Sequence, residues 1–347
     1  MHFGVPTFMA TPAPSRELQA WVESLSTTRD LEPESLAVAS ADAGFRRYYR
    51  VADRRGGSYV VMDASEDKQH AFDQFVKIDA VMRNEAGLHA PEILECDAAS
   101  RYMLLEDLGR ETFLDVLDEK NAAALMDKAT DALVKWQAVS RPDVLPEYDE
   151  ATLRRELELF PTWYVERHRK VEWTAQQQRW WRMSVDAILE NVLAQERVFV
   201  HRDFMPRNLM VSDPTPGVLD FQDALYGPVS YDIASLLKDA FISWGEPFVI
   251  DITVRYWEKA RKAGIPVPQD FGVFYRDIDF MGVQRHLKVL GIFARLNYRD
   301  DKPRYLEDTP RFVEYVKKTA SRYRPLSPLA RLMNELDGTT VKVGYTF

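Results

Sequence analysis

The chain has 347 residues and a mass of 40.1 kDa, which is enough for about two domains. Its hydrophobic content of 46% is that of a globular protein, and its single cysteine excludes an internal disulfide framework. With 54 acidic and 45 basic residues the net charge is −9. This charge argues against a protein that binds nucleic acids or anionic membranes through a basic surface.

The beginning of the chain carries no targeting pattern. Residues 1–15 lack the basic and apolar regions of a secretory signal, and no apolar run approaches the ~18 residues of a membrane helix. Three prolines within residues 1–14 predict an extended leader. The sequence therefore predicts a cytoplasmic protein with no nucleic-acid, membrane or obligate protein partner.

The first part of the chain, residues 1–108, is predicted to be rich in strands. Ser15 is a candidate cap for a helix over residues 16–25. A strand, a glycine-containing turn and a second strand follow over residues 48–62. The further elements predicted in this part are a helix over 69–86 and strands over 93–96 and 101–105.

The remainder, residues 109–347, is predicted to be mostly helical. A strand-and-loop block over residues 198–221 interrupts it. The helical patterns cover 111–139, 148–170, 174–196, 231–243, 248–263, 271–298 and 309–322. This order predicts an α+β protein with a small β-rich N-terminal lobe, 1–108, and a large helical C-terminal lobe, 109–347. Ligands are expected at the junction of such lobes.

The strand-and-loop block carries the densest group of catalytic residue types. An apolar run ends at His201, Asp203 and Asn208 follow in a polar loop, and a second apolar run ends at Asp220, with Asp223 just beyond. Phosphoryl transfer needs a carboxylate beside the attacking hydroxyl and oxygen ligands for Mg²⁺. Asp203 suits the first role, Asn208 and Asp220 suit the second, and Asp223 is a further candidate for contact with the metal or the sugar. These oxygen donors predict a site for Mg²⁺ and nucleotide phosphates; the resemblance described next implies that the nucleotide is ATP.

The order His-Arg-Asp-x-x-x-x-Asn followed by Asp-Phe resembles the catalytic loop of the protein-kinase-like fold. Three features differ from protein kinases: no Gly-x-Gly-x-x-Gly precedes the first hairpin, Gln222 follows Asp-Phe, and the one Ala-Pro-Glu, 90–92, comes too early. Residues 219–237 instead resemble the aminoglycoside phosphotransferase superfamily, which phosphorylates small molecules. This resemblance implies that Asp232 braces the catalytic loop and that His201 packs beneath it.

A narrower resemblance covers roughly residues 15–325. The segments that carry it are 45–51, 61–64, 104–109, 155–160 with Trp163, and 284–296. Together they look like the anomeric N-acetylmuramate/N-acetylglucosamine kinases of bacterial cell-wall recycling. This implies ATP-dependent phosphorylation of an anomeric hydroxyl. The alternatives are a kinase for choline, homoserine or an aminoglycoside, and a catalytically silent nucleotide or sugar sensor.

One departure concerns the cation that holds the nucleotide phosphates. Kinases of this fold usually carry a lysine on the third strand, where this chain has Met62. Either Arg46, Arg47 or Arg50 supplies the charge, or nucleotide binding is weak and the protein is a pseudokinase. The resemblance implies that the adenine binds backbone groups near Glu106 and Leu108.

The acceptor side is predicted in the helical lobe. Glu156 and Trp163 offer a hydrogen-bonding group and an aromatic face for a hexose. At about 100° per residue, Arg285, Lys288 and Arg295 fall within an arc of about 80° on one helix. Such a run is either a solvated stripe with salt bridges or an anion site, for example for the carboxylate of N-acetylmuramate.

Overall fold

The computed structural model describes residues 13–40 and 46–338, and their contacts form two compact units. Most of the predicted leader, residues 1–12, lies outside the described residues. The first unit contains residues 13–40, 46–116 and 208–223. The second contains residues 117–207 and 224–338. The sequence-based boundary at residue 108 assigned 109–116 and 208–223 to the helical part, whereas their contacts group them with the first unit.

The first unit is built on an antiparallel five-stranded sheet with the spatial order β1-β2-β3-β5-β4. Its strands are β1 (Leu31–Ser40), β2 (Arg47–Asp53), β3 (Ser58–Asp63), β4 (Ile93–Asp97) and β5 (Tyr102–Glu106). Its helices are α1 (Arg16–Leu25), α2 (Gln69–Ala80), which continues into a π-helical turn (Val81–Glu85), and α3 (Phe113–Val116). Ser15 caps α1, since its side chain accepts the N–H of Leu18 at 3.0 Å.

Alternation along the strands gives the sheet two different faces. One face packs against Leu18 and Val22 of α1, and these residues belong to the same core cluster as Val61 of β3. Met62, the next residue, therefore points to the opposite face, and it is completely buried. It lies directly between Tyr48 of β2 and Met103 of β5 in the strand register. Met62, which the sequence analysis placed where a phosphate-binding lysine was expected, is thus a buried apolar residue of the sheet.

Residues 208–223 join the first unit through backbone hydrogen bonds. They contain the strand pair β7 (Leu209–Met210) and β8 (Gly217–Val218). The N–H of Val211 donates to the carbonyl of Glu111 at 2.9 Å, and the N–H of Val218 donates to the carbonyl of His89 at 2.8 Å. The ring of Phe221 lies 4.7 Å from that of Phe75 on α2. The segment that carries Asn208 and Asp220 therefore contacts α2 and the residues that precede β4 and follow β5.

The second unit is mostly helical. Its helices are α4 (Ala122–Ala138), α5 (Glu150–Leu157), α6 (Ala175–Leu193), α7 (Tyr231–Leu237), α8 (Glu246–Lys262), α9 (Phe271–Asp300), α10 (Thr309–Ala320) and α11 (Ser327–Leu336), with a π-helix over Phe160–His168. One antiparallel pair, β6 (Arg197–Val200) with β9 (Leu225–Pro228), completes it. In the described part of the chain, none of the helices combines the length and apolarity needed to cross a membrane.

Helix α9 is the central element of the second unit. It contacts α5, α6, α7, α8, α10 and the 160–168 π-helix. A Cβ on Gly291 would lie 2.4 Å from the carbonyl carbon of Leu159, so only glycine permits this close approach. The sixteen buried residues of α9 include Asp277, Asp279 and Arg285, which places ionisable side chains inside the unit.

A buried carboxyl group in α2 makes the stability of the first unit depend on pH. Asp79 is 6% exposed, and burial raises its pKa to about 7, against the opposing effect of Arg83. Because the pKa is raised above the unfolded value of 3.8, the folded state favours the protonated form. The stability linked to this group is complete below about pH 4 and is lost as the pH rises to about 7.

We expect the Asp79→Asn variant to lose this pH dependence, because the amide resembles the protonated acid and cannot ionise. Between about pH 4 and 8 the unfolding free energy of the wild type should fall by about 4 kcal/mol more than that of the variant. Urea denaturation of both proteins across this range measures the difference. Parallel pH profiles would show that Asp79 is ionised without cost in the folded state.

Candidate active site

The loop that carries Asp203 follows β6 directly. His201, its first residue, is 1% exposed, and its ring meets that of Phe204 edge-on at 5.6 Å. The loop ends in a single 3₁₀ turn, Pro206–Asn208. The imidazole is therefore buried and packs against another residue of the same loop.

Asp232 holds the backbone at the start of this loop. It lies in the first turn of α7 and is fully buried. Its two carboxylate oxygens accept the backbone N–H groups of His201 at 2.7 Å and Arg202 at 3.0 Å. Burial raises the pKa of Asp232 to about 7, and the two N–H donors oppose that rise. This geometry provides the contacts that a bracing residue requires.

Asp203 is half-buried, and its backbone carbonyl accepts the N–H of Met205 at 3.0 Å. Its charged surroundings in the second unit are the guanidinium groups of Arg202 and Arg285 and the carboxylate of Asp232. A carboxylate at this place in the loop has the chemistry to accept a proton from an attacking hydroxyl.

The two predicted metal ligands lie next to each other in the first unit. Nδ2 of Asn208 lies 3.3 Å from Oδ2 of Asp220, and the carbonyl of Asn208 accepts the N–H of Leu219 at 3.0 Å. Nε2 of Gln222 donates to the other carboxylate oxygen of Asp220 at 2.7 Å. Asp223 is exposed in the turn that follows. The structure thus brings Asn208 and Asp220 together and leaves Asp223 at the surface.

The donor chemistry of this pair fits Mg²⁺. The amide oxygen of Asn208 and the carboxylate of Asp220 are hard oxygen donors, and Mg²⁺ commonly takes one or two protein ligands, with phosphate oxygens and water completing its shell. Within residues 13–40 and 46–338 no group of three His, Cys, Asp or Glu side chains is arranged to hold a metal ion. The pair therefore suits a metal that arrives with a nucleotide better than a permanently bound transition metal.

Arg50 is engaged with the segment that follows β5. Its guanidinium makes two bonds to the carboxylate of Asp107, at 2.5 and 2.9 Å, and a third to the carbonyl of Gly109 at 2.8 Å. Ser58 also donates to Asp107, at 2.6 Å. Burial acts to raise the pKa of Asp107, but the hydrogen bonds from Arg50 and Ser58 outweigh it and lower the pKa. The 106–109 segment is consequently fixed to β2 and β3.

The other two arginines of the hairpin also contact carboxylates. Arg46 pairs with Asp67 at 2.9 Å, and Arg47 pairs with Glu66 at 2.5 Å. The Arg46 side chain is 10% exposed, whereas that of Glu66 is 56% exposed. The exposed pair is the weaker of the two, because water screens it and its long side chains lose entropy.

The side chain of Glu106 is engaged by protein groups. It bonds the ring of His89 at 3.2 Å and the backbone N–H of Glu92 at 3.2 Å, and it lies 3.5 Å from Arg83. Among the described residues, the backbone N–H of Leu108 donates to no carbonyl or side chain. Main-chain groups of this segment therefore stay the predicted contacts for a base.

The predicted sugar ligands have different environments. Glu156 and Arg285 are buried, at 7% and 8% exposure, and both face the catalytic loop. The side chain of Lys288 is 16% exposed and pairs with Glu156 at 3.0 Å. Trp163 is half-buried, with the guanidinium of Arg167 5.9 Å from its ring.

Arg295 differs from the other cations of α9. Its Nε is buried and has no hydrogen-bond partner in the described part of the chain, where no carboxylate lies within ion-pairing distance either. Burial lowers its pKa, and the neighbouring charge of Arg299 adds to that effect. The three cations of the basic stripe thus have different surroundings, and their role in binding an anion stays a prediction.

Sequence reasoning missed three residues of this region. Gln222 orients Asp220, Asp107 holds Arg50, and Tyr148 donates its hydroxyl to Glu156. The position of Gln222, two residues after Asp220, was a usable signal. No pattern in the sequence points to Tyr148. Its contact with Glu156 becomes visible only in the folded structure.

Comparisons with known proteins identify the family of this chain. The model of the phosphotransferase enzyme family matches residues 35–270. The N-acetylmuramate/N-acetylglucosamine kinase of Pseudomonas aeruginosa is 49% identical over 94% of this chain and 98% of its own length. The enzyme of the same name from Neisseria meningitidis serogroup B is 46% identical over 95% of this chain and 98% of its own length.

Solved structures with low identity show the same fold. The choline kinase LicA from Streptococcus pneumoniae has a TM-score of 0.62 at 14% identity and covers 88% of this chain and 100% of that one. The aminoglycoside phosphotransferase APH(2″)-IIa, solved with gentamicin, has a TM-score of 0.60 at 16% identity and covers 88% of this chain and 97% of that one. The predicted protein-kinase-like fold is confirmed. The chain belongs to the phosphotransferase enzyme family.

Proposed function

We propose that this enzyme uses ATP to phosphorylate the anomeric hydroxyl of N-acetylmuramate or N-acetylglucosamine. The observation that carries the proposal is the identity of 49% with a kinase of that name, extending over 94% of the chain. A cytoplasmic role in the recycling of cell-wall sugars follows from the same likeness.

Three side chains would do the chemical work. Asp203 orients the sugar hydroxyl and accepts its proton as the oxygen attacks the γ-phosphorus. Asn208 and Asp220 would hold Mg²⁺, which when bound neutralises charge on the nucleotide phosphates. Gln222 keeps the Asp220 carboxylate oriented through its 2.7 Å bond. Catalysis then rests on positioning and charge neutralisation, since phosphoryl transfer requires little covalent participation by the protein.

The nucleotide side uses residues of the first unit. The main chain near Glu106 and Leu108 would bind the adenine. Arg50 is committed to Asp107 and Gly109, so we assign it to hold this segment and not to contact phosphate. Arg46 and Arg47 remain the candidates for the charge that a strand lysine supplies elsewhere in the fold, and the exposed Arg47 pair is the easier one to exchange for a phosphate.

On the acceptor side, Trp163 and Arg295 are the candidates that the described structure leaves able to take a ligand. Trp163 offers a partly exposed aromatic face, which suits the apolar face of a hexose. Arg295 has a buried donor without an acceptor among the described residues, which suits a carboxylate. Arg295 would then favour N-acetylmuramate, which carries a carboxylate, over N-acetylglucosamine, which does not.

A panel of acceptors tests the proposal. Consumption of ATP should be measured with N-acetylmuramate, N-acetylglucosamine, choline, homoserine and an aminoglycoside, in the wild type and in Arg295→Gln. We expect turnover with the two amino sugars and a loss of about tenfold in kcat/KM for N-acetylmuramate alone in the variant, the size of one charge-assisted hydrogen bond.

Other results would point elsewhere. Turnover with choline or an aminoglycoside alone would contradict the sugar proposal. An absence of turnover, together with no thermal stabilisation by ATP and Mg²⁺, would favour a silent sensor. Equal losses on both sugars in Arg295→Gln would exclude Arg295 as the carboxylate ligand while leaving the activity assigned.

A further inference from the structure

The backbone of Arg202, immediately before the catalytic aspartate, has an unusual conformation. Its φ is +77°, in the left-handed region that side-chain-bearing residues avoid. Such a conformation persists only where the surroundings impose it, and it is commonly found at functional sites. The direction in which the chain enters Asp203 therefore depends on whatever holds Arg202.

Three buried residues form hydrogen bonds with Arg202, each at a different group. Asp232 accepts its backbone N–H at 3.0 Å, and Nη1 of Arg285 donates to its carbonyl at 2.9 Å. The guanidinium of Arg202 donates to Oε1 of Glu156 at 2.5 Å. We call Asp232, Arg285 and Glu156 the Arg202 clamp. The ring of Tyr148 lies 5.5 Å from the same guanidinium and adds a cation–π contact.

The carboxylate of Glu156 has no capacity left for a substrate. Oε1 accepts Arg202 and also Nζ of Lys288 at 3.0 Å, and Oε2 accepts the hydroxyl of Tyr148 and Nε2 of Gln284 at 3.1 Å. A carboxylate offers about four lone-pair sites, and these four donors occupy them. Burial acts to raise the pKa of Glu156, but the charges of Lys288 and Arg202 outweigh it and lower the pKa.

Arg285 and Lys288 are likewise engaged within the protein. The guanidinium of Arg285 lies 4.7 Å from the ring of Tyr231 as it reaches the Arg202 carbonyl. Lys288 contacts the hydroxyl of Tyr231 at 3.4 Å in addition to Glu156. Two of the three cations that the sequence placed in a sugar or anion site thus have protein partners beside the catalytic loop.

We propose that Glu156, Arg285 and Lys288 are positioning residues: they hold Arg202 in its left-handed conformation, directly or through Glu156, and so aim Asp203 at the acceptor hydroxyl. This deepens the proposed function and rests on it, because Asp203 is the base in that reaction. The alternative, in which Glu156 or Lys288 binds the sugar directly, predicts a different kinetic pattern.

The Arg202→Gly variant separates the two alternatives, because glycine adopts a positive φ without strain. If Glu156 acts through Arg202, Glu156→Gln should lower kcat by about tenfold with little change in KM, and the same substitution in an Arg202→Gly background should change kcat by less than about twofold. Arg202→Gly should also be several-fold more active than Arg202→Ala, which keeps the strain and loses the ion pair.

The matched control is Glu150→Gln, the same substitution on the same helix. Glu150 is exposed and pairs with Arg154, so its replacement should leave kcat and KM unchanged. If Glu156→Gln does not fold, Tyr148→Phe removes one donor from the same carboxylate and is expected to act in the same direction. An increase in KM alone, equal in the wild-type and Arg202→Gly backgrounds, would overturn the proposal in favour of direct sugar binding.

Hydrogen exchange provides a second measurement that needs no substrate. The amides of His201 and Arg202 donate to Asp232, so exchange in peptides covering residues 200–205 reports on the clamp. We expect faster exchange there in Glu156→Gln and no change in Glu150→Gln. Unchanged exchange in both would refute the clamp. A wild type that phosphorylates no amino sugar would instead refute the proposed function, and the exchange result would still decide on the clamp.

Discussion

Replacing Asp203 by Asn is expected to lower turnover about a thousandfold while leaving nucleotide binding nearly intact. The amide keeps the shape of the side chain but cannot accept the proton of the attacking hydroxyl, and general-base catalysis contributes roughly 10²- to 10⁴-fold. Asp203 is half-buried and lies in the second unit, whereas the predicted nucleotide contacts lie in the first. The loss should therefore appear in kcat and not in the affinity for ATP.

Steady-state kinetics with the preferred amino sugar and a thermal-shift titration with ATP and Mg²⁺ measure the two quantities separately. Asp251→Asn is the control: it is the same substitution at an exposed position of α8, where Asp251 pairs only with Arg255 among the described residues. Substantial turnover in Asp203→Asn would remove Asp203 from the role of base. A parallel loss of nucleotide binding would show instead that the variant disturbs the fold.

Replacing Asp220 by Asn should produce the second large effect, but through the metal. The variant keeps an oxygen donor at the position next to Asn208 and can retain the hydrogen bond from Gln222, yet it loses the full negative charge that a divalent cation needs. We expect a fall in kcat of about a hundredfold or more, together with a higher Mg²⁺ concentration for half-maximal activity.

Activity measured as a function of Mg²⁺ concentration tests this expectation. Asp213→Asn serves as the control, since Asp213 is an exposed aspartate in the same unit. A variant that recovers full turnover at high Mg²⁺ would show that Asp220 contributes only to the affinity for Mg²⁺. An unchanged Mg²⁺ dependence with reduced turnover would argue that Asp220 acts on something other than the metal.

The sequence predicts most elements correctly because their patterns are local. Helix α1 begins at a capping serine and places Leu18 and Val22 on one buried face, and its predicted and observed bounds agree. Strand β1 was missed because Pro33 and its acidic neighbours do not resemble a strand, and because its pairing with β2 is irregular. Helix α11 was missed as well, although its apolar residues recur at helical spacing.

How much the sequence says about a single side chain depends on how far along the chain its contacts lie. The loop order that singles out Asp203, Asn208 and Asp220 is visible in the sequence, because those residues lie within eighteen positions of one another. Arg285, in contrast, contacts the carbonyl of a residue 83 positions away. Charge periodicity could group it with Lys288 and Arg295 on a helix, but it carried no information about the buried partners that distinguish the three.

The division of the chain into units has a consequence for how the protein folds during synthesis. The first unit is interrupted in sequence: β7 and β8 and the Phe221 that packs on Phe75 are supplied by residues 208–223, far beyond its other parts. A nascent chain that has left the ribosome only as far as residue 116 lacks these partners and leaves apolar groups such as Phe75 uncovered. The first unit thus reaches its final packing only after much of the second unit has already emerged from the ribosome.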